Sequence, residues 1–136
     1  MSEAIENLLP HRAPMRWLDE LVECGATTAK GRVRFTAEHY AVADGHVLES
    51  ALVECIAQTI AAAQSHRAKV PGGSGRPSVG MLAAVANFKI HSPPPLGKML
   101  DVEIEEQKKF GPMLLVAGRI TCENRLICAG ELTVYA

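Results

Sequence analysis

Residues 39–58 contain three polar side chains whose types and spacing could support proton transfer. His39 lies in a polar segment, and Glu54 and Gln58 follow in a stretch that is otherwise apolar. Glu54 and Gln58 are one helical turn apart, so they share a helix face. An imidazole titrates near neutral pH and suits a general base, whereas a buried carboxylic acid that keeps its proton suits a general acid. A carboxylate within an apolar helix needs a partner, a proton or a catalytic task.

These candidates also have plainer interpretations. A histidine such as His39, taken alone, is more often a surface-loop residue, and Glu54 could reach solvent at the edge of a subunit. His46 is a rival base, but it adjoins the Asp44-Gly45 turn and is expected to face solvent. The types of His39, His46 and Glu54 would suit a metal ion. Their spacing matches no zinc pattern, so we expect no metal site.

A long helix must position Glu54 and Gln58. From Leu48 to about Ala68 the chain is apolar on nearly every side, which is typical of a buried helix. Glu49 and Ser50 can serve the exposed N–H groups at its start. The helix is predicted to end before the glycine- and proline-rich segment 71–78.

Strands are predicted on both sides of this helix. A short helix over Ala4–Leu9 comes first, and the alternation of apolar and polar residues then predicts strands at Arg16–Cys24, Thr28–Phe35, Val79–Ile90, Met99–Gln107, Met113–Cys122 and Leu126–Tyr135. The order is β-β-α-β-β-β-β. A single helix cannot cover both faces of a sheet, so we predict an α+β domain over residues 1–136 in which an antiparallel sheet wraps around the helix. A second subunit is a natural cover for the other side, which predicts a homodimer or a higher oligomer.

Composition excludes several classes of function. The 136 residues carry a net charge of −1 with no basic block, so no nucleic-acid partner is expected. The N-terminus is acidic rather than basic and then apolar, and no stretch is long and apolar enough for a membrane span. Four cysteines without C-x-x-C spacing indicate free thiols and a cytoplasmic protein.

Three motifs in the sequence resemble those of one enzyme family. Residues 8–23, LLPHRAPMRWLDELVE, resemble the opening of the 3-hydroxyacyl-acyl carrier protein dehydratases, which have the hotdog fold. Residues 54–58, ECIAQ, are similar to their E-A-x-A-Q helix, and Phe88-Lys89 precedes prolines and Gly97 as in that family. The DG turn and the E-x-x-A-Q-x-x-A-A helix look closest to the divergent branch of aryl polyene and related lipid pathways.

The resemblance implies dehydration of 3-hydroxyacyl thioesters to trans-2-enoyl thioesters in fatty acid or specialised lipid biosynthesis. It implies that His39 is the base and Glu54 the acid, contributed by different subunits, with backbone N–H groups at the helix start binding the enolate oxygen and Gln58 orienting Glu54. It also implies an acyl tunnel lined by Leu52, Ile56, Met81 and Phe88, a structural His11, and no cofactor. The acyl carrier protein partner is acidic, so its expected dock is basic, with candidates Arg32, Arg34, Lys89 and Lys98.

Two other functions remain open from the sequence. In a hotdog acyl thioesterase the helix carboxylate would activate water or act as the nucleophile. In a catalytically degenerate subunit the domain would bind acyl chains or pair with an active partner. The second alternative rests on departures from the family pattern, because Tyr40 follows the histidine and Glu49 stands where the family has a helix-start glycine.

Overall fold

A computed structural model describes residues 4–9, 15–69 and 82–135. These residues form a 3₁₀ helix (Ile5–Asn7), four strands, one long helix and four more strands. The bounds are β1 Glu20–Cys24, β2 Thr28–Arg34, β3 Val42–Ala43, β4 His46–Val47, α1 Glu49–Lys69, β5 Leu82–Ile90, β6 Met99–Phe110, β7 Met113–Cys122 and β8 Arg125–Tyr135.

Six of the strands form one antiparallel sheet in the order β1-β2-β6-β7-β8-β5, and α1 packs against β1, β2, β6 and β7. The predicted antiparallel sheet wrapped around one long helix is therefore confirmed. Alternate residues of each central strand face the helix, as in β6, where Leu100, Val102 and Ile104 are buried. No residue of α1 from Ala51 to Ala68 is exposed, which agrees with a helix that is apolar all round.

Two glycines allow the helix to lie close to the sheet. A Cβ added to Gly118 of β7 would lie 2.5 Å from Cγ2 of Ile56, so the bare backbone leaves room for that side chain. A Cβ on Gly31 of β2 would lie 2.7 Å from Cδ1 of Leu18 and 3.1 Å from the hydroxyl of Thr59. The absence of a side chain at these positions brings the middle of α1 against the sheet.

A buried ion pair anchors the C-terminal end of α1. Arg67 is 7% exposed and its guanidinium donates to the carboxylate of Glu106 at 2.5 Å. It also donates to the carbonyl oxygens of Gly25 at 2.8 Å and Thr28 at 3.2 Å. The guanidinium thus fixes the last turn of the helix to the β1–β2 turn and to β6.

The segment before α1 contains the predicted Asp44-Gly45 turn, within a ribbon that the sequence did not predict. Residues 42–47 form a two-stranded ribbon whose turn is Asp44-Gly45, with φ of 53° and 76°. Positive φ at both central residues is the type I′ geometry that suits a tight hairpin. The same geometry at Glu123-Asn124, with φ of 51° and 66°, joins β7 to β8 as predicted.

Several predicted boundaries are corrected. The strand expected from Arg16 begins at Glu20, because residues 15–18 bond to the helix instead of to a neighbouring strand. The strand expected to end at Gln107 continues to Phe110, and the short N-terminal helix is a 3₁₀ turn. The start of the strand predicted at Val79 lies outside the described residues.

The four cysteines are free, as expected. Burial raises the pKa of the Cys55 thiol well above its usual range and that of Cys128 to about 11. These thiols therefore pack as small apolar groups rather than serve as nucleophiles. In the described part of the chain, no helix is both long and apolar enough to cross a membrane.

Candidate active site

Gln58, in the middle of α1, makes four hydrogen bonds. Its Oε1 accepts from the backbone N–H groups of Trp17 at 2.9 Å and Leu18 at 3.0 Å. Its Nε2 donates to the carbonyl oxygen of Met15 at 2.9 Å and to Oε2 of Glu54 at 2.9 Å. The side chain is 1% exposed, and these bonds use both its donors and both acceptor positions. Gln58 therefore links residues 15–18 to the helix and contacts the carboxylate.

Glu54 is half-buried on the same face of α1, one turn before Gln58. The spacing of four residues brings the two side chains together, as predicted from the helical repeat. The bond from the amide N–H fixes one carboxylate oxygen and therefore the direction in which the carboxylate points. The predicted orienting contact from Gln58 is present; the catalytic role of Glu54 stays a prediction.

His39 lies in the turn between β2 and β3, between two aromatic rings. Its ring centroid is 4.8 Å from that of Phe35 and 6.0 Å from that of Trp17, both in edge-to-face geometry with interplanar angles of 77° and 67°. Its backbone N–H donates to the carbonyl oxygen of Thr36 at 3.0 Å. Burial lowers the pKa of the imidazole, and the negative charge of Asp19 partly opposes that shift. The ring is therefore largely neutral at pH 7.

The backbone N–H of Ala41 donates to Nδ1 of His39 at 3.0 Å. An acceptor nitrogen carries no proton, so the neutral ring in this arrangement holds its proton on Nε2. A base that accepts a proton at Nε2 requires the opposite tautomer, in which Nδ1 is protonated. The predicted role of His39 as the base therefore requires this bond to break.

The predicted acyl-tunnel residues lie in different surroundings. Leu52 is 1% exposed and Ile56 is fully buried in the core between α1 and the sheet. Phe88 on β5 is half-buried, and a Cβ on Gly130 of β8 would lie 2.8 Å from its ring. Met81 lies outside the described residues, as does His11. The roles of these residues as a tunnel wall stay a prediction.

The rival base His46 is exposed on the ribbon strand β4. Trp17 and Phe35 each form their ring contact with His39. Among the described residues, no group of three or more His, Cys, Asp or Glu side chains could hold a metal ion.

The predicted basic dock is partly neutralised. Arg32 pairs with Asp101 at 3.2 Å, and Lys98 pairs with Glu123 at 3.1 Å. Lys89 lines a groove of about 880 Å³, together with Lys30, His91, Arg119 and four glutamates at positions 23, 103, 105 and 131. These residues alternate with the helix-facing ones, so the groove lies on the other face of the sheet from α1. His39, Glu54 and Gln58 do not line this groove, so it is separate from the candidate site around His39. The groove carries side chains of both charges.

Sequence reasoning missed Trp17 and Phe35 as neighbours of His39. The strand alternation indicates that Phe35 faces the core, and its proximity in sequence to His39 is a usable signal. Trp17 lies 22 positions before His39 in the chain, so only the folded arrangement brings the two rings together.

A family model described as ApeP-like, ApeP dehydratase, matches residues 3–136. No protein of curated function matches the chain. The comparison thus covers nearly the whole chain, including Trp17, His39, Glu54 and Gln58.

Solved structures similar to the chain show the hotdog fold that was predicted. The ApeI:P dehydratase heterocomplex of Xenorhabdus doucetiae is 20% identical, with a TM-score of 0.86 over 99% of this chain and 91% of that one. The PaaI protein of the E. coli phenylacetic acid degradation operon is 9% identical, with a TM-score of 0.68 over 86% and 82%. A hypothetical thioesterase of Streptococcus pneumoniae, solved with coenzyme A, is 12% identical, with a TM-score of 0.65 over 85% and 83%.

Proposed function

The chain belongs to the ApeP-like dehydratase family, and on that premise we propose that it dehydrates 3-hydroxyacyl thioesters carried on an acyl carrier protein. The product is the trans-2-enoyl thioester, in fatty acid or aryl polyene-like lipid biosynthesis. One observation carries the proposal. Gln58 bonds both to Glu54 and to the backbone of Trp17, and the indole of Trp17 packs against the neutral ring of His39. We place the reaction in the cytoplasm, where the four free thiols remain reduced.

His39 and Glu54 share the chemistry in this proposal. His39 takes the C2 proton of the substrate at Nε2, and the electron pair of the C–H bond forms the C2–C3 double bond. The C3–O bond breaks, and Glu54 donates its proton to the departing hydroxyl, so water leaves. The proton balance is one proton gained by His39 and one lost by Glu54, which a transfer between them or through water restores.

The tautomer of His39 adds a free-energy cost to this mechanism. Proton uptake at Nε2 requires a proton on Nδ1, so the fully buried N–H of Ala41 loses its acceptor. Leaving a buried donor unsatisfied costs about 1–3 kcal/mol. Enzymes lower barriers by roughly 8 kcal/mol or more, so the switch is compatible with catalysis.

The start of α1 supplies candidate donors for the enolate oxygen. The N–H of Ala51 already donates to the carbonyl oxygen of Leu48 at 3.0 Å. The amides of Glu49 and Ser50 are at the positive end of the helix dipole, and both residues are exposed. We assign the oxyanion role to these two amides, with Glu49 in place of the family glycine.

We propose that a second hotdog subunit completes the site. Strand β5 is at the sheet edge, and its Leu82 and Val85 are both 42% exposed. An exposed apolar edge strand is a ready surface for pairing with another chain. A second copy gives the homodimer expected from the sequence. The dehydratase heterocomplex of Xenorhabdus doucetiae supports, as the alternative, a different hotdog protein as partner.

The assay that tests the proposal uses 3-hydroxyacyl-acyl carrier protein and follows both enoyl product and free thiol. We expect enoyl product, with losses of about 10²–10⁴-fold in His39→Ala and Glu54→Gln. His46→Ala is the matched control, and its activity should equal that of the wild type. Thiol release without enoate would contradict dehydration and favour the thioesterase alternative.

Mixing the two inactive variants tests the shared site. If His39 of one subunit serves Glu54 of another, mixed His39→Ala and Glu54→Gln dimers recover part of the activity. Activity that appears only after addition of a second hotdog protein would favour the heteromeric form. Recovery in neither mixture would contradict a site shared between subunits.

A further inference from the structure

One glutamine connects Glu54 and His39 of the same chain, two residues that serve different sites if each site is shared between subunits as proposed above. Gln58 bonds to the carboxylate of Glu54 through Nε2 and to the backbone N–H of Trp17 through Oε1. The indole of Trp17 in turn packs edge-to-face against His39. We propose that Gln58 and Trp17 are positioning residues that fix both Glu54 and His39, Gln58 acting on the imidazole through Trp17. The catalytic meaning of this arrangement rests on the proposed dehydratase function.

Residues 15–18 are not paired with a neighbouring strand, and Gln58 holds them in place instead. These residues precede β1, which begins at Glu20. The amides of Trp17 and Leu18 and the carbonyl of Met15 all bond to the Gln58 side chain. Leu18 is fully buried and Trp17 is 9% exposed, so these amides have little access to water. Removal of the Gln58 amide would leave three backbone groups without their partner and release the segment from α1.

The rings of Trp17 and Phe35 both contact the imidazole of His39. Both contacts are edge-to-face, at 6.0 Å and 4.8 Å, a geometry in which aromatic rings attract. The bond from Ala41 to Nδ1 sets the rotation of the imidazole. The two rings cover part of His39, in agreement with the lowered pKa that partial burial produces.

Asp19, which directly follows residues 15–18, carries a negative charge that acts on His39. Its Oδ2 accepts the backbone N–H of Arg34 at 2.8 Å, and its Oδ1 lies 3.8 Å from the guanidinium of Arg16. The negative charge raises the pKa of His39, opposite to the effect of burial. Loss of the aromatic packing would therefore let the imidazole pKa rise, since the desolvation weakens while Asp19 remains anchored to β2.

The test follows His39 by NMR titration in the protein without substrate and, separately, kcat and KM. Gln58→Met keeps a similar volume but removes the amide, and Trp17→Leu removes the ring. We expect both to raise the His39 pKa toward 6.5 and to lower kcat at least about tenfold, with KM nearly unchanged. Gln64→Met, on the same helix and half-buried, is the control and should change neither quantity.

A double variant tests the connection itself. If Gln58 acts on His39 through Trp17, Gln58→Met with Trp17→Leu raises the pKa no further than Trp17→Leu alone. Trp17→Phe, which keeps an aromatic ring and the backbone N–H, should retain most of the wild-type pKa and rate. It is the rescue control for Trp17→Leu, and this pair of variants tests the contact to His39 if Gln58→Met does not fold.

The outcomes separate this inference from the proposed function. An unchanged His39 titration in Gln58→Met and Trp17→Leu overturns the positioning role, even if the wild type is an active dehydratase. A shifted titration in a protein that dehydrates no thioester supports the positioning role and overturns the proposed function. Fully additive pKa shifts in the double variant would show that the two residues act independently, which also overturns the inference.

Discussion

The backbone N–H of Ala41 donates a hydrogen bond to Nδ1 of His39 at 3.0 Å, and this bond sets the tautomer of the imidazole. Ala41 is fully buried, so its N–H has no access to water as an alternative acceptor. A ring rotated by half a turn would present a carbon to that amide and leave it unsatisfied. The tautomer is therefore determined by a backbone group two residues further along the chain.

The first prediction concerns this tautomer. In the free protein above the pKa of His39, we expect ¹⁵N NMR to show the proton on Nε2, because Nδ1 is an acceptor. Binding of an unreactive 3-hydroxyacyl analogue should shift the population toward the Nδ1–H form if His39 is the base. A free protein with the proton on Nδ1 would contradict the described hydrogen bond. A bound state that keeps Nε2–H would exclude the base role.

The second prediction concerns the pH dependence of activity. Burial lowers the pKa of His39, so the neutral base persists to a lower pH than for a free imidazole. The acidic limb of kcat/KM, which reports the free enzyme, should have its midpoint below 6.5. Asp19→Asn should move that midpoint lower still, because the carboxylate charge raises the pKa. A midpoint above 6.5, or an upward shift in Asp19→Asn, would contradict the assignment.

The third prediction concerns the ion pair at the end of α1. Arg67→Leu leaves Glu106 without its partner and removes the guanidinium bonds to the carbonyl oxygens of Gly25 and Thr28, so we expect a loss of about 3 kcal/mol in the free energy of unfolding by urea. Replacement of Glu106 by Leu in the same protein should restore part of that loss. The exposed pair Lys98–Glu123 is the control, and Lys98→Ala should cost less than about 1 kcal/mol. Equal losses for the buried and exposed pairs would exclude an anchoring role for Arg67.

The fourth prediction concerns the two glycines of the β7–β8 pair. Gly118→Ala meets the side chain of Ile56, whereas Gly130→Ala meets the backbone and Cβ of Phe88 at 2.9 and 3.0 Å. Each should cost about 1–3 kcal/mol of stability. In thermal unfolding, Ile56→Ala should compensate part of the Gly118→Ala cost, since it removes the atoms that clash. Phe88→Ala removes the ring contact at 2.8 Å but leaves the Cα and Cβ of residue 88, so it should compensate less of the Gly130→Ala cost. Full compensation there would show that the strands can move apart.

The sequence by itself determined the elements that depend on residues close to one another in the chain. The apolar run from Leu48 predicted α1, which spans Glu49–Lys69, and the alternation over residues 113–122 predicted β7 at its observed bounds. The Glu123-Asn124 pair predicted the turn of the β7–β8 hairpin, and both residues have positive φ. The contact of Glu54 with Gln58 also follows from sequence, because the helical repeat alone brings residues four apart together. Such features depend on neighbours within a few residues, which the order of residue types reveals.

Only the tertiary structure decided which distant groups complete the candidate site. The three backbone partners of the Gln58 amide lie 40 to 43 positions away, and two of them, Trp17 and Leu18, are in a segment that the strand pattern wrongly assigned to β1. Trp17 reaches His39, and Arg67 reaches Glu106, only after the sheet has wrapped around the helix. These contacts arise because burial forces each polar group to find a partner, and the chain's path through space determines which partner is within reach.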